Sequence, residues 1–303
     1  MRTRPLGSSG LEVTVVGLGC NNFGGRIDEE ASRAVIDAAL DAGVTFFDTA
    51  DLYGNNGGSE EIIGRALAGR RDRVVLATKF GFDLGDGETA RGARRYIRKA
   101  VAASLRRLQT DWIDLYQYHR PDGVTPVEET LGALDELVQE GTVRAIGSSN
   151  FTAQLVEEAH AVAGRRGLAP FVTEQSEYSW LVRRAEEELL PACERLGVGF
   201  IPFFPLASGL LTGKYRRGEP APEGTRLHGR QFEDARLDRV ERLEAFAAER
   251  GITLLDVAIG GLAAVPGVTS VIAGATKPEQ VRANAVAGAW EPAPEELAAL
   301  RAL

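Results

Sequence analysis

The chain has 303 residues, 44% of them hydrophobic and 26% charged, with a formal net charge of −8. That balance is ordinary for a soluble globular protein long enough to bury a core without cross-links. No Lys/Arg run is long enough for a nucleic-acid tract and no run of about 18 apolar residues occurs, so neither a nucleic-acid partner nor a membrane span is expected. The two cysteines, Cys20 and Cys193, are far apart and form no CxxC pair, which removes support for a zinc or redox motif and suits a reducing compartment. The N-terminus "MRTRPLGSSGLEV" is basic but lacks an apolar segment, so no secretory signal is expected and a cytoplasmic location follows. Without such a signal the sequon at Asn150-Phe151-Thr152 carries little weight.

In chain order, "LGSSGLEV" predicts a hairpin and "EVTVVGLG" (12–19) a strand. Residues 28–43 predict a helix, with Asp28 as N-cap and Gly43 as stop. Strand 45–47 and helix 59–68 follow, with Ser59 as candidate cap. Strand 73–79 then leads to a helix near 91–108. Strand 112–119 precedes helix 126–140, where Thr125 and Glu128 have the spacing of a capping box. Strand 142–149 precedes helix 152–163, strand 171–175 precedes helix 184–196, and strand 197–204 precedes helix 235–250. A helix near 253–264, strand 268–274, helix 278–287 and a tail helix near 294–301 complete the chain.

Eight strands, most followed by a helix and apolar on both faces, predict a parallel sheet with crossover helices. Eight β/α repeats need about 250 residues, which leaves room for a hairpin, an insertion and a tail. The expectation is one (β/α)8 barrel over 1–303 with an N-terminal hairpin and extra helices. A doubly wound sheet fits less well, because "GLGCNNFGG" has Asn22 where the third fingerprint glycine belongs. The insertion 212–234, rich in Gly, Pro and charge, has the length of a functional or mobile loop.

Barrel active sites sit at the C-terminal strand ends. Here those ends carry Asp48 with Tyr53 just beyond, then Lys79, His119, Ser149-Asn150 and Gln175. Alternation puts Val44, Phe46 and Asp48 on one face, Val75, Ala77 and Lys79 on another, and Ile113, Leu115, Gln117 and His119 on a third. A tyrosine is a poor proton donor near neutral pH unless a cation stabilises its phenolate. Lys79 can supply that cation, Asp48 can hold it, and His119 can align a substrate oxygen. No nucleophile with an attached base and no metal cluster is evident. The set suits general acid–base chemistry at an oxygen, as carbonyl reduction requires together with a hydride from a cofactor.

The segments "FFDTADLYG", "ATKFG", "LYQYHRPD", "IGSSNF", "EQSEYSWLVRR", "PLASGLLTGKY" and "IAGATKPEQVRANA", in this order across nearly the whole chain, resemble the aldo-keto reductases. The resemblance implies a (β/α)8 barrel that binds NADPH (as NADP+ after reaction) across its mouth and reduces aldehydes and ketones. It implies that Tyr53 is the general acid, Lys79 the residue that lowers its pKa, Asp48 the partner of that lysine, and His119 the carbonyl-orienting residue. Ser149, Asn150 and Gln175 correspond to the residues that hold the nicotinamide carboxamide, and Phe203 to the aromatic stacked on the ring. Gly19 joins the cofactor set. Leu206, Ser208, Gly209 and Leu211 correspond to the pyrophosphate loop, with Lys214 nearby. Gly274, Thr276, Gln280 and Asn284 correspond to the segment around the 2′-phosphate and adenine. Gln280 stands where some relatives have arginine, with Lys277, Arg282 and Arg226 as candidate substitutes. Ala273 stands where relatives often have proline. Cys20-Asn21-Asn22 is expected to line the pocket.

Taken singly, these residues have plain structural explanations: a barrel Asp–Lys pair, a loop tyrosine, a core histidine. Their convergence from consecutive strands favours function. Asp51 reads as a loop acid, Glu174 and Glu177 as structural, Cys193 as a helix-face core residue, and His160 and His228 as uninvolved. "GLLTGKY" fails the phosphate-loop pattern, since Ser208 occupies the first glycine position and Tyr215 follows Lys214. Two other functions stay open. One is a cofactor-binding, redox-sensing subunit of slow turnover, since the resemblance extends to potassium-channel subunits. That group tends to lose the histidine that this chain keeps as His119. The other is an unrelated barrel with Lys79 as a Schiff base, which leaves Ser149, Asn150 and Gln175 unexplained.

Overall fold

The computed structural model describes residues 1–229 and 232–303, so positions 230 and 231 of the insertion lie outside the described residues. The hairpin pairs β1 (Thr3–Pro5) with β2 (Glu12–Thr14) antiparallel. The run expected as one strand over 12–19 breaks at Val15, because β2 stays in the hairpin while β3 (Val16–Gly19) joins the barrel. Thr14 makes that corner. Its hydroxyl donates to the Val16 carbonyl at 2.8 Å and accepts from the Thr45 amide at 3.1 Å.

Strands and helices then alternate: α1 (Glu29–Asp41), β4 (Phe46–Asp48), α2 (Tyr53–Ala66), β5 (Val75–Phe80), α3 (Arg94–Leu108), β6 (Ile113–Tyr118), α4 (Val127–Gln139), β7 (Val143–Ser149), α5 (Ala153–Arg166), β8 (Phe171–Glu177), α6 (Leu189–Leu196), β9 (Gly199–Phe203), α7 (Asp234–Glu249), α8 (Leu254–Asp256), β10 (Val271–Gly274), α9 (Pro278–Ala287) and α10 (Pro294–Ala302). Eight parallel strands run β10-β3-β4-β5-β6-β7-β8-β9. The ring closes through a Phe200–Val268 bridge, where Phe200 donates to the Gly267 carbonyl and Thr269 to that of Phe200. This is the expected (β/α)8 barrel with a hairpin and extra helices.

Two apolar layers hold it. Inside the barrel pack Phe46, Ala77, Leu115, Ala145, Val172, Ile201 and Ile272, and Leu6 and Val13 of the hairpin complete this cluster. The larger layer lies between barrel and helices. Val44 and Ile113, expected on inward faces, belong to that outer layer. Fully burying side chains of this size contributes roughly 1.5–3 kcal/mol each.

Several local signals resolve differently from expectation. Asp28 caps α1 by accepting from Ala31, as the sequence predicts, and Thr152, inside the helix expected over 152–163, turns out to cap α5. Thr125 does not cap α4, because Asp122 captures its hydroxyl at 2.6 Å and Pro126 takes the cap position. Ser59 is no cap either. It is buried, donating to the Cys20 carbonyl at 2.9 Å and lying 2.8 Å from the Thr49 hydroxyl. The helix expected over 184–196 splits into a 3-10 turn at Arg184–Glu186 and α6, since Pro191 lacks an amide hydrogen and is tolerated only in a first turn. The helix expected over 253–264 starts with a Thr253–Asp256 capping box and passes through a π-helical stretch at Val257–Gly261.

One irregularity positions the site. Between β7 and β8 the register jumps from Ile146–Phe171 to Gly147–Thr173, which makes Val172 an extra residue. Strict alternation cannot turn both Val172 and Gln175 inward, and the bulge allows both.

Candidate active site

The site is built from strand ends. Asp48 closes β4 and Lys79 lies near the end of β5, both buried. The Lys79 ammonium donates to Asp48 Oδ2 at 2.6 Å and to the Thr49 carbonyl at 2.9 Å. Asp48 Oδ1 accepts from Gln117 Nε2 at 3.1 Å and Gln175 Nε2 at 2.9 Å, and Gln175 also donates to Gln117 Oε1 at 3.2 Å. Such a buried pair persists because its remaining hydrogen-bonding capacity is filled, and removing one partner costs about 3–5 kcal/mol.

Tyr53 stands over this pair. The chain beyond β4 makes a left-handed turn at Gly54, Asn55, Asn56 and Gly57, with φ of 68°, 60°, 66° and 121°. Glycine and asparagine tolerate that region better than other residues. The Lys79 nitrogen lies 5.2 Å from the Tyr53 ring centroid, and His119 meets the ring edge-on at 5.9 Å between centroids. Burial raises the Tyr53 phenol above its ordinary pKa, while Lys79 pulls it down. Burial disfavours the Lys79 ammonium, but Asp48 and Tyr53 outweigh that and hold it charged. Burial, then the Lys79 charge, push His119 down to about 3, so its imidazole is neutral at physiological pH. The His119 Nδ1 has no partner among the described residues. A neutral imidazole can donate one hydrogen bond to an oxygen.

A cavity of about 960 Å³ opens above these groups. Asp48, Tyr53 and His119 line it, whereas Lys79 is fully buried and acts on it only through Tyr53 and Asp48. Gly19, Ser149, Asn150, Gln175, Phe203, Leu206, Ser208, Gly209, Lys214, Gly274, Thr276, Gln280 and Asn284 line it too, as do Cys20, Asn21 and Asn22. Leu211 is a correction: its side chain is fully buried in the outer core and does not line the cavity. Arg282 is likewise absent from the lining, while Lys277 and Arg226 are present. Gln280 folds back, its Oε1 accepting from the Thr276 amide at 2.8 Å. Arg226 reaches from the insertion to donate to Asn22 Oδ1 at 2.9 Å. After β9, Phe204, Ala207 and Ser208 hold positive φ of 53°, 46° and 59°, costly conformations of the kind that gather at functional sites.

Sequence reasoning left several lining or supporting residues unassigned, Gln117, Phe82 and Arg26 among them. Gln117 was on an inward face two residues before His119, and alternation was the signal that could have found it. Phe82 lies 5.1 Å from the His119 ring and lines the cavity, as does Arg26. Asp51, read as a loop acid, does lie in a turn and is 3% exposed, with one carboxyl oxygen unpartnered among the described residues.

Fold and site together define a (β/α)8 barrel with the Asp48–Lys79 pair, Tyr53 and His119 gathered at its C-terminal mouth, at the floor of a large cavity. The chain belongs to the aldo/keto reductase family, whose family model matches residues 15–303. It is 40% identical over 298 residues to a "Probable voltage-gated potassium channel subunit beta" of Oryza sativa subsp. japonica, covering 94% of this chain and 90% of that protein. A protein of the same name from Arabidopsis thaliana is 38% identical over 298 residues, with the same coverage. The "Uncharacterized oxidoreductase YrpG" of Bacillus subtilis (strain 168) is 41% identical over 290 residues, covering 91% of this chain and 88% of its own length. The family and this last relative mark the chain as an oxidoreductase. Among the described residues no helix is long and apolar enough to cross a membrane.

Proposed function

We propose that the protein reduces an aldehyde or ketone to the alcohol with NADPH, Tyr53 acting as general acid. The observation that carries this reading is the buried Lys79–Asp48 pair, 2.6 Å apart, set behind a tyrosine that faces the cavity. The lining residues suit such a cofactor. Ser149, Asn150 and Gln175 offer hydroxyl and amide groups for a carboxamide, and Phe203 offers a ring face. Lys214, Lys277 and Arg226 line the cavity with no carboxylate partner among the described residues, which suits phosphates. The bound nicotinamide would supply the hydride.

The rest of the chemistry belongs to the chain. Tyr53 delivers a proton to the carbonyl oxygen as negative charge develops there. Lys79, kept cationic by Asp48, stabilises the phenolate left behind. His119, neutral, donates a hydrogen bond to the same oxygen and orients the carbonyl. A panel of small aldehydes and ketones, followed by cofactor absorbance with NADPH and NADH in parallel, tests activity, substrate class and cofactor choice. Tyr53→Phe is expected to retain NADPH affinity and lose about 10²–10⁴-fold in turnover. Full activity in that variant would sink the assignment. The names of the two plant relatives favour a second reading, a cofactor-binding subunit that regulates a partner. Tight NADPH binding without turnover on any carbonyl would select it.

A further inference from the structure

We infer that Glu174 is a positioning residue for the Ser149–Asn150–Gln175 cluster, acting from behind the barrel wall. Glu174 lies on β8 next to Gln175 but on the opposite face, and it is fully buried. Its Oε1 accepts from the Phe151 amide at 3.1 Å and from the Ser176 hydroxyl at 2.7 Å, and its Oε2 accepts from the Ser148 hydroxyl. One carboxyl group thus ties residues 148 and 151 of the neighbouring strand end. The two residues between them, Ser149 and Asn150, are the pair that faces the cavity.

The tie matters because the segment it brackets is not relaxed. Asn150 has a φ of 60°, a left-handed conformation uncommon outside glycine. In that conformation its amide nitrogen donates to the His119 carbonyl at 3.0 Å and to the Ser149 hydroxyl at 3.1 Å. The Asn150 backbone and the Ser149 hydroxyl both donate to the Gln175 carbonyl, at 3.0 and 2.8 Å. Glu174 therefore connects to all three cavity-facing residues: by bracketing two and by chain adjacency to the third. A buried carboxyl group with no cation beside it is costly. Burial holds this one up to about 7 despite its hydrogen bonds. A hydrophobic side chain would fill the same space without that cost, so a positional role accounts for the acid.

The inference rests on the cofactor reading above, in which this cluster holds the nicotinamide carboxamide. The test compares two ligands, NADP+ and 2′-phospho-ADP-ribose, which lacks only the nicotinamide ring. Both are titrated into wild-type protein, Glu174→Ala and Glu174→Gln. Glu174→Ala leaves the Phe151 amide without its acceptor and is expected to weaken NADP+ about tenfold. Its affinity for 2′-phospho-ADP-ribose is expected to stay within about twofold, because that ligand makes no use of the cluster. Glu174→Gln keeps an acceptor oxygen and is expected to recover most of the loss. If the alanine variant does not fold, Glu174→Asp takes its place, since a side chain one methylene shorter cannot hold both residues 148 and 151. Equal weakening of both ligands would show a merely structural residue, and unchanged NADP+ affinity would show no role; either overturns the inference. Wild-type protein that binds 2′-phospho-ADP-ribose and NADP+ equally well would show that the cluster does not grip the ring. Wild-type protein that binds neither would remove the cofactor reading itself, and this inference with it.

Discussion

Asp51 should make the protein less stable as pH rises, and replacing it with asparagine should remove that contribution. Its carboxyl group is buried, and one oxygen has no partner among the described residues. Burial, then repulsion from Glu60, raise it to about 8, against weaker pulls from Arg107 and Lys79. Tyr116, whose hydroxyl also lacks a partner among the described residues, and Tyr96 feel its charge. A carboxyl group whose folded pKa exceeds its unfolded value stabilises the fold fully below the unfolded pKa. That stability is lost progressively as pH rises to the folded value. The window here runs from 3.8 to about 8. Each pH unit inside it corresponds to about 1.4 kcal/mol, so about three units between pH 5 and pH 8 give roughly 4 kcal/mol. Asparagine keeps the shape and cannot ionise. Urea unfolding of wild type and Asp51→Asn at pH 5 and pH 8 measures the effect. The stability of Asp51→Asn relative to wild type should grow by that amount across the interval. Other titrating groups, Glu174 and His119 included, cancel in this difference to the extent that they are independent of Asp51. A difference that stays constant with pH would refute the reasoning.

His119 should remain neutral down to about 3, so its imidazole resonances in NMR should not titrate between pH 5 and 8. Lys79→Met should leave the Asp48 carboxylate buried without its cation, costing about 3–5 kcal/mol in denaturant unfolding as well as turnover. Gly64 packs α2 against α3 so closely that an added Cβ would lie 2.5 Å from the Arg107 carbonyl oxygen. Gly64→Ala should therefore cost about 1–3 kcal/mol by the same measurement, with NADPH affinity in the folded fraction unchanged.

The fold was legible because its signals are redundant. Eight apolar strand runs separated by helical periods leave few topologies, and a misplaced cap at Ser59 or Thr125 does not alter the count. Asp48, Lys79, His119 and Gln175 were legible because each is a polar residue ending an apolar strand. Leu211 was misjudged because its segment does border the cavity. Ser208 and Gly209 line it, but the succession of positive φ values at Ala207, Ser208 and Gly209 turns the leucine into the core. No rule of spacing predicts three such residues in a row. Asp51 does stand in a turn, as read, but its burial was not legible, because its sequence neighbours look like an exposed loop.

The outward faces of the same strand ends are polar and hydrogen-bonded as well. Three inward-facing residues, Asp48, Lys79 and Ser149, each have a neighbour in sequence that is itself polar and bonded. Thr49, beside Asp48, meets Ser59. Thr78, beside Lys79, donates to Glu60 at 2.6 Å, and Ser148, beside Ser149, donates to Glu174. An apolar outward residue would pack against the helices but leave the strand end free to slide along them. A hydrogen bond fixes direction as well as distance, so the inward neighbour is aimed as well as buried. The ends of β4, β5 and β7 thus carry two polar sets, one turned into the barrel and one bonded on the other side of the strands. The second would go unnoticed in a search for catalytic residues, because none of its members touches the cavity floor. If it has the aiming role assigned to Glu174, then Thr78→Val, a near-isosteric exchange, should lower turnover more than it lowers the unfolding midpoint. It leaves one Glu60 oxygen without its donor, while Arg107 still holds the other, and loosens the backbone that carries Lys79.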